Sequence, residues 1–407
     1  MGQLKQEIRK KILQTMTFER QMADEELAEL IDQEIANTSG GGLHLKDRLR
    51  LQKELFDSFR RLDILQELVE NPEITEIMVN GPDDIFIESG GEMRRWDKTF
   101  DSKEQLLDLI QQIVSSVNRI VNTSTPIADA RLADGSRVHA VLEPVALDGP
   151  VLTIRKFPEP VTMERLLSYG SISEEAAELL KTLVIARYNI FVSGGTGAGK
   201  TTFLNALSEY IPAQERVITI EDSAELRLQH IENLVRMETR DANAEGHGAI
   251  GIGELIRAAL RMHPSRILIG EVRGKEALDL LQAMNTGHDG SFSTGHGNSP
   301  KDMLSRLETM VLMAADLPLQ AIRSQIASAI DVMVHVARLR DSSRKVTAIE
   351  EVDRYENGEI ILNPLYRFQE SGLADGKTAS SGKVEGKLIR TGELRHKEKL
   401  RMAGLEL

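Results

Sequence analysis

Residues Gly194-Gly195-Thr196-Gly197-Ala198-Gly199-Lys200-Thr201 fit the pattern G-x-x-x-x-G-K-[ST], and Thr202 follows directly. The apolar run Ile190-Phe191-Val192 comes before it, and Phe203-Leu204-Asn205-Ala206-Leu207 comes after with helical character. The segment thus lies between an expected strand and an expected helix, the setting a phosphate-binding loop requires. Glycine lets the backbone bend and aim its N–H groups at an anion, and the helix N-terminus adds free donors and the positive end of its dipole. In such a loop Lys200 reaches the terminal phosphates and the Thr201 hydroxyl binds Mg²⁺. Four glycines, a Lys-Thr pair and the right flanks imply a nucleoside triphosphate as ligand.

A phosphate loop alone does not say what becomes of the triphosphate. Two apolar runs downstream end in acids: Val217-Ile218-Thr219-Ile220 leads to Glu221-Asp222, and Ile267-Leu268-Ile269-Gly270 leads to Glu271. Glu271 occupies the usual second-motif position, where a carboxylate holds Mg²⁺ through water or polarises the attacking water. Glu221 is the second candidate. One acid at a strand end is as often a cap or an ion-pair partner, but two of them downstream of one phosphate loop favour a catalytic pair. Phosphoryl transfer rests on positioning and charge neutralisation, so arginines matter. Arg131, Arg137 and Arg155 fall on expected strands upstream, and Arg273 lies just after Glu271. Thr286-Gly287-His288-Asp289-Gly290-Ser291-Phe292-Ser293-Thr294-Gly295-His296 sets two histidines among small residues. With no cysteine and no short histidine ligand pair, zinc is a poor reading. A tight loop brought up to the nucleotide, with His288 and His296 sensing the γ-phosphate, is the expectation.

The positioning elements follow from periodicity. Residues 1–60 read as a small helical bundle, with Leu4, Ile8 and Ile12, then Leu27, Leu30 and Ile31, then Leu45, Leu49, Leu55, Phe56 and Phe59 as apolar faces. Residues 61–157 read as an α+β domain. Its short strands are Ile74–Val79, Ile85–Ile87 and Met93–Trp96, its helix runs from about Ser102 to Val121, and a hairpin turns at Asp134-Gly135. Pro158 and Pro160 stiffen a linker over 158–163. From 164 to 370 strands alternate with helices, as in a mainly parallel sheet with its function at the carboxyl ends of the strands. Residues 371–407 read as a mobile basic tail.

Hydrophobic residues at 41% and charged residues at 28% describe a globular chain of more than one domain. No stretch reaches the roughly 20 apolar residues of a membrane span, and the start of the chain has no apolar core of a signal peptide. The absence of cysteine excludes disulfides and thiolate metal sites, so a cytoplasmic location is expected. A net charge of −13 argues against bulk coating of DNA, and 4% aromatics leave little for stacking single-stranded bases.

The loop Gly194–Thr201, the acidic box Ile220-Glu221-Asp222, the segment Gly270-Glu271-Val272-Arg273-Gly274 and the His288/His296 box occur in that order. Together they resemble the secretion ATPases of type II and type IV systems. Asp129–Val138 and Leu152–Phe157 are most similar to the CpaF-like, tight-adherence (Tad) pilus branch. The resemblance implies a homohexamer with a PAS-like α+β domain before a RecA-like P-loop α/β ATPase domain, and nucleotide between the two. It implies ATP and Mg²⁺ as ligands, with contacts from Gly194 through Thr202 and the metal held at Thr201 and Glu271. It implies Glu221 as catalytic glutamate, Glu271 as second-motif acid, His288 and His296 as a histidine box, and Arg131, Arg137 and Arg155 as phosphate contacts. The implied partner is an inner-membrane pilus or secretion platform, reached from the cytoplasmic side, with no stable nucleic-acid binding. A DNA-transport motor and a nonhydrolytic nucleotide-gated scaffold are the competing readings.

Overall fold

Apolar spacing at the start of the chain produces three helices, α1 (Gly2–Thr15), α2 (Asp24–Ser39) and α3 (Leu45–Arg60). They bury Ile8 and Ile12, Leu27, Ile31 and Ile35, and Leu51 and Leu55 against one another. The face expected on α3 holds at Leu55, Phe56 and Phe59 but not in its first turn, where Leu45 and Leu49 are exposed at 73% and 56% and Leu51 is buried instead. The computed structural model describes residues 2–15, 22–39, 42–90, 92–156, 160–240, 247–371 and 384–406. The chain divides into two units, Met1–Pro158 and Glu159–Leu407.

After the helices, the first unit continues with α4 (Gln66–Glu70), β1 (Ile74–Asn80), β2 (Ile85–Ser89), β3 (Glu92–Arg95), α5 (Lys103–Ser116), β4 (Ile127–Arg131), β5 (Arg137–Val141) and β6 (Val151–Arg155). The strands form an antiparallel sheet in the order β3-β2-β1-β6-β5-β4. The Ser102 hydroxyl caps α5 by accepting from the Gln105 amide at 3.2 Å, and α5 buries Leu106, Leu109, Ile110 and Ile113 in the core of this sheet. Asp63 joins the helical part to the sheet part: its buried carboxylate meets Lys5 of α1 at 3.4 Å and accepts from Gln105 of α5 at 2.5 Å.

The second unit holds α6 (Met163–Ser168), α7 (Glu174–Ile185), β7 (Ile190–Gly194), α8 (Lys200–Ser208), β8 (Arg216–Glu221), β9 (Asn233–Glu238), α9 (Ile252–Ala259), β10 (Arg266–Ile269), α10 (Ala277–Asn285), β11 (Phe292–His296), α11 (Pro300–Ala314), α12 (Leu319–Ala329), β12 (Val332–Arg338), β13 (Arg344–Glu356), β14 (Glu359–Glu370), β15 (Gly386–Arg390) and α13 (Glu398–Met402). Its sheet has the order β15-β14-β13-β12-β7-β11-β10-β8-β9. The run from β12 to β9 is parallel, and β13 to β15 extend it antiparallel. Period-2 alternation splits the strand side chains between two cores. Ile190, Val192, Val332 and Val334 face α6, α7 and α8. Phe191, Ile218, Ile220 and Met333 face α9 to α12. This is a doubly wound α/β layer with the phosphate loop at the end of a central strand.

Of two expectations about connections, that of the tail needs correction. Of the expected linker 158–163, residues 158 and 159 lie outside the described residues, and Thr162 already caps α6 by accepting from the Arg165 amide at 3.2 Å. The tail is no mobile appendage over residues 384–406. β15 pairs with β14 in the register Phe368↔Leu388, Leu394 and Leu400 are buried in the core, and the Tyr188 hydroxyl donates to the His396 carbonyl at 2.6 Å. Its charge dominated the sequence reading, whereas three separately spaced apolar anchors determine the structure. The rest of the tail, 372–383 and 407, lies outside the described residues.

Arg266, at the N-terminal end of β10, is fully buried and bidentate on Glu215, with Nε 2.7 Å from Oε2 and Nη2 2.9 Å from Oε1, while Nη1 donates to the Val184 carbonyl at 2.7 Å. Burial pushes the Glu215 carboxyl up, but Arg266 and Arg187 outweigh it and hold it below the ordinary range. Removing one partner leaves a buried charge, so Arg266→Leu is expected to lower the unfolding free energy in urea at pH 7 by about 3–5 kcal/mol. A carboxyl with a depressed pKa stabilises above its unfolded pKa and loses that contribution as pH falls through its folded value. The deficit of the variant should therefore shrink in acid.

Candidate nucleotide site

Every residue of β7 is buried, and β11 and β12 pair with it on either side. The loop then rises to an exposed crest at Gly195, Thr196 and Gly197, turns back through buried Ala198, and enters α8 at Lys200. Gly199 precedes α8 at φ +91°, a backbone that favours glycine. Phe203, Leu204, Ala206 and Leu207 anchor α8 in the core, which fixes its N-terminus and the unpartnered N–H groups of a first helical turn. Thr201 is half-buried and Thr202 exposed on that turn.

Lys200 is 7% exposed as a residue. Its ammonium donates to the Gly195 carbonyl at 3.2 Å and lies 3.2 Å from His296 Nδ1, at the C-terminal end of β11. His296 Nε2 in turn lies 2.9 Å from Glu271 Oε1, beyond the end of β10. Glu271 Oε2 accepts from Arg273 Nη2 at 3.1 Å, and Arg273 Nη1 is 3.7 Å from Asp222, beyond β8. One chain of charges thus links the carboxyl ends of four neighbouring strands. Burial lowers the Lys200 pKa, with Glu271 opposing. Burial and the Lys200 charge lower that of His296, again with Glu271 opposing. A neutral imidazole accepts from Lys200 at Nδ1 and presents its Nε2 proton towards Glu271.

Glu221, at the end of β8, is 2% exposed. Its Oε2 accepts from the Glu225 amide at 2.8 Å and the Leu226 amide at 3.1 Å. Burial pushes its carboxyl up to about 7 against those hydrogen bonds. The Glu221 side chain crosses Gly270, where an added Cβ would lie 3.0 Å from Glu221 Cγ. A side chain at 270 would therefore displace one acid of the pair.

The residues suit Mg²⁺. Glu271 Oε1 is buried, and although it is close to His296 it has no aligned hydrogen-bond donor among the described residues. Such an oxygen fits a water bound to a metal held by the Thr201 hydroxyl and the phosphates.

The two histidines part company. His296 joins the chain just described, whereas His288 precedes β11 and so lies beyond the opposite end of that strand from the loop. Five residues of β11, about 13 Å at 3.3 Å per step, separate those ends. Around His288, Ser291 donates to the His288 carbonyl at 2.7 Å and Asp289 pairs with Lys399 at 2.7 Å. The expectation that both histidines meet the nucleotide in one loop is corrected for His288.

Arg131, Arg137 and Arg155 lie in the first unit as direct cross-strand partners on β4, β5 and β6, with Glu76 next to Arg155 on β1. Residues opposite one another share a face, so the three arginines form one row. Like charges set opposite one another repel, and the acidic Glu76 lies at the end of the row opposite Arg155. The sequence reading missed Arg344, whose Nε donates to the Gly197 carbonyl of the phosphate loop at 3.0 Å. Its only signal is a polar turn, Asp341-Ser342-Ser343, flanked by arginines.

Residues 60–374 match the family model described as Type II/IV secretion system protein. The chain is similar to a putative conjugal transfer protein of Mycobacterium tuberculosis, 38% identical over 323 residues that cover 78% of this chain and 91% of the relative. It is 33% identical over 302 residues to the type IV secretion system protein PtlH of Bordetella pertussis, covering 68% of this chain and 89% of that one. Among solved structures, the pilus retraction motor PilT with bound ADP shares the fold, with a TM-score of 0.54 at 18% identity over 73% of this chain and 83% of that one. The chain belongs to the type II/IV secretion system protein family, and its second unit has the RecA-like fold.

The raised pKa of Glu221 carries a sign. A carboxyl whose folded pKa lies above its unfolded value stabilises fully below the unfolded value and loses that contribution as pH rises through about 7. Thermal melts of Glu221→Gln against wild type should therefore converge near pH 4 and diverge by pH 8. There the variant is the more stable, by on the order of 3 kcal/mol.

Proposed function

We propose that this member of the type II/IV secretion system protein family is a homohexameric MgATP motor of the CpaF-like, Tad pilus branch. It drives pilus assembly or protein secretion from the cytoplasmic side through an inner-membrane platform protein. The observation that carries the proposal is the chain Lys200–His296–Glu271–Arg273, which ties the phosphate loop to two further strand ends. A γ-phosphate is a stronger partner for the Lys200 ammonium than a neutral imidazole, so its arrival draws Lys200 off His296 and its loss returns Lys200 there. Glu271 and Thr201 would hold Mg²⁺ when it is bound, and Glu221, with a pKa near neutrality, serves as general base for the attacking water. Mg²⁺ supplies charge neutralisation across the phosphates, and residues 194–202 hold them. Arg131, Arg137 and Arg155 serve as further phosphate contacts in this proposal.

A DNA-transport motor is the second reading, favoured by the name of the Mycobacterium tuberculosis relative. The net charge of −13 and the scarcity of aromatics weigh against it. Salt-sensitive stimulation of turnover by DNA would favour it over the pilus reading.

In a phosphate-release assay, Glu221→Gln is expected to retain ATP binding and lose turnover, while Lys200→Ala loses binding itself. Near wild-type hydrolysis by Glu221→Gln would move the base to Glu271. In wild type, turnover at saturating MgATP should rise about tenfold between pH 6 and pH 8, as one carboxyl ionises near 7. Arg131→Ala and Arg137→Ala are expected to fold normally and lose about 10³-fold or more in turnover, the scale of an arginine that stabilises transferring phosphate.

A further inference from the structure

β7 is flanked by β11 on one side and β12 on the other. His296 and Glu271 reach the phosphate loop from the β11 side, whereas the other flank belongs to the β12–β13 hairpin. Val336 of β12 pairs with Gly194, the first residue of the loop, so the last residues of β12 and the first of β13 extend past the strand end beside the loop. Arg344 opens β13 there. Its Nε donates to the Gly197 carbonyl at 3.0 Å, and its Cδ lies 3.3 Å from where a Cβ would stand on Gly199.

The cross-strand partner of Arg344 is Arg338. Arg338 donates to the Ser342 hydroxyl at 3.1 Å, and both arginines are exposed. The nearby counter-charges are already engaged. Asp341 accepts from the Ser343 hydroxyl and the Val384 amide, and Glu370 is paired with Arg340. Among the described residues neither Arg338 nor Arg344 has a carboxylate partner. Two like charges set opposite one another beside an anion-binding loop, one of them in contact with the loop backbone, call for a ligand with negative charge.

We propose that Arg344 is a nucleotide-binding residue that contacts the α- and β-phosphates. Its Nε braces the loop at Gly197 while its terminal nitrogens meet the diphosphate. The inference rests on the nucleotide reading of the loop and deepens it. Lys200, His296 and Glu271 account for the γ-phosphate on the β11 flank. What remains for the β12 flank is the part of the ligand that ADP and ATP share.

The test is titration of the full chain with fluorescent ADP and with fluorescent nonhydrolysable ATP. Arg344→Gln keeps the apolar stem over Gly199 and an amide able to donate to Gly197, so the loop is preserved, and an unchanged melting curve checks this. The expected result is a weakening of both ligands by the same factor, about 10- to 100-fold, the range of a charged hydrogen bond. Arg344→Lys, which restores charge without the fork, should recover part of it. Unchanged ADP affinity in Arg344→Gln, or a loss confined to the ATP analogue, overturns the assignment. Lys200→Ala separates the two readings. If it loses both ligands while Arg344→Gln loses neither, only the role of Arg344 falls. If Lys200→Ala still binds both, the nucleotide reading of the loop falls and this inference with it.

Discussion

The burial of one ammonium governs the rest of the site. Lys200 opens a helix in the core and is 7% exposed, so its charge has lost most of its water and must find protein partners. The structure offers it a carbonyl of its own loop and an imidazole nitrogen, both neutral acceptors, with the nearest carboxylate one residue further on. A direct Lys200–Glu271 pair would hold the cation tightly and compete with phosphate for it. Placing His296 between them keeps the cation solvated yet easily taken by a better acceptor. That arrangement requires the ends of β7, β11 and β10 to be neighbours, which is the strand order observed.

Much of this was legible from residues close in sequence. The loop, its flanking strand and helix, and the two acidic strand ends are local patterns, each with a stated period or turn, and the structure has strand and helix where the patterns predict them. The histidine pair was misread because the seven residues between them, nearly all with small side chains, look like one loop. Phe292–His296 is instead a fully extended strand in the middle of the sheet, and extension carries its two ends apart. The cue was present in the alternation of Phe292 and Thr294 with small residues, but glycine and serine gave it a loop-like composition. Arg344 lies 147 positions from Gly197, and no local pattern can report a contact made by a sheet that closes over such a span.

The tail shows the same limit from the opposite direction. Composition over 371–407 is that of a solvated segment, yet Leu388, Leu394 and Leu400 anchor residues 384–406 to the second unit. Its polar bonds are also specific: the Glu351 carboxylate accepts from the amides of Arg395 and His396. Burying a carboxylate with several aligned N–H donors is tolerable only where the segment supplying them is held in place, so Glu351 and the tail depend on each other.

Glu221 shows why a site residue and a structural residue need not be alternatives. Two backbone amides hold its carboxylate, and the absence of a side chain at Gly270 lets it lie across the end of β10. The same burial that makes ionisation costly brings its pKa to about 7, where a base is both available and strong enough to take a proton. Loosening the turn at Glu225 and Leu226 would remove the hydrogen bonds that favour the charged form, and the carboxyl would then stay protonated to higher pH. The loop over residues 222–226 therefore sets the proton affinity of Glu221 as well as its position, and any motion transmitted through β8 or β9 acts on both at once.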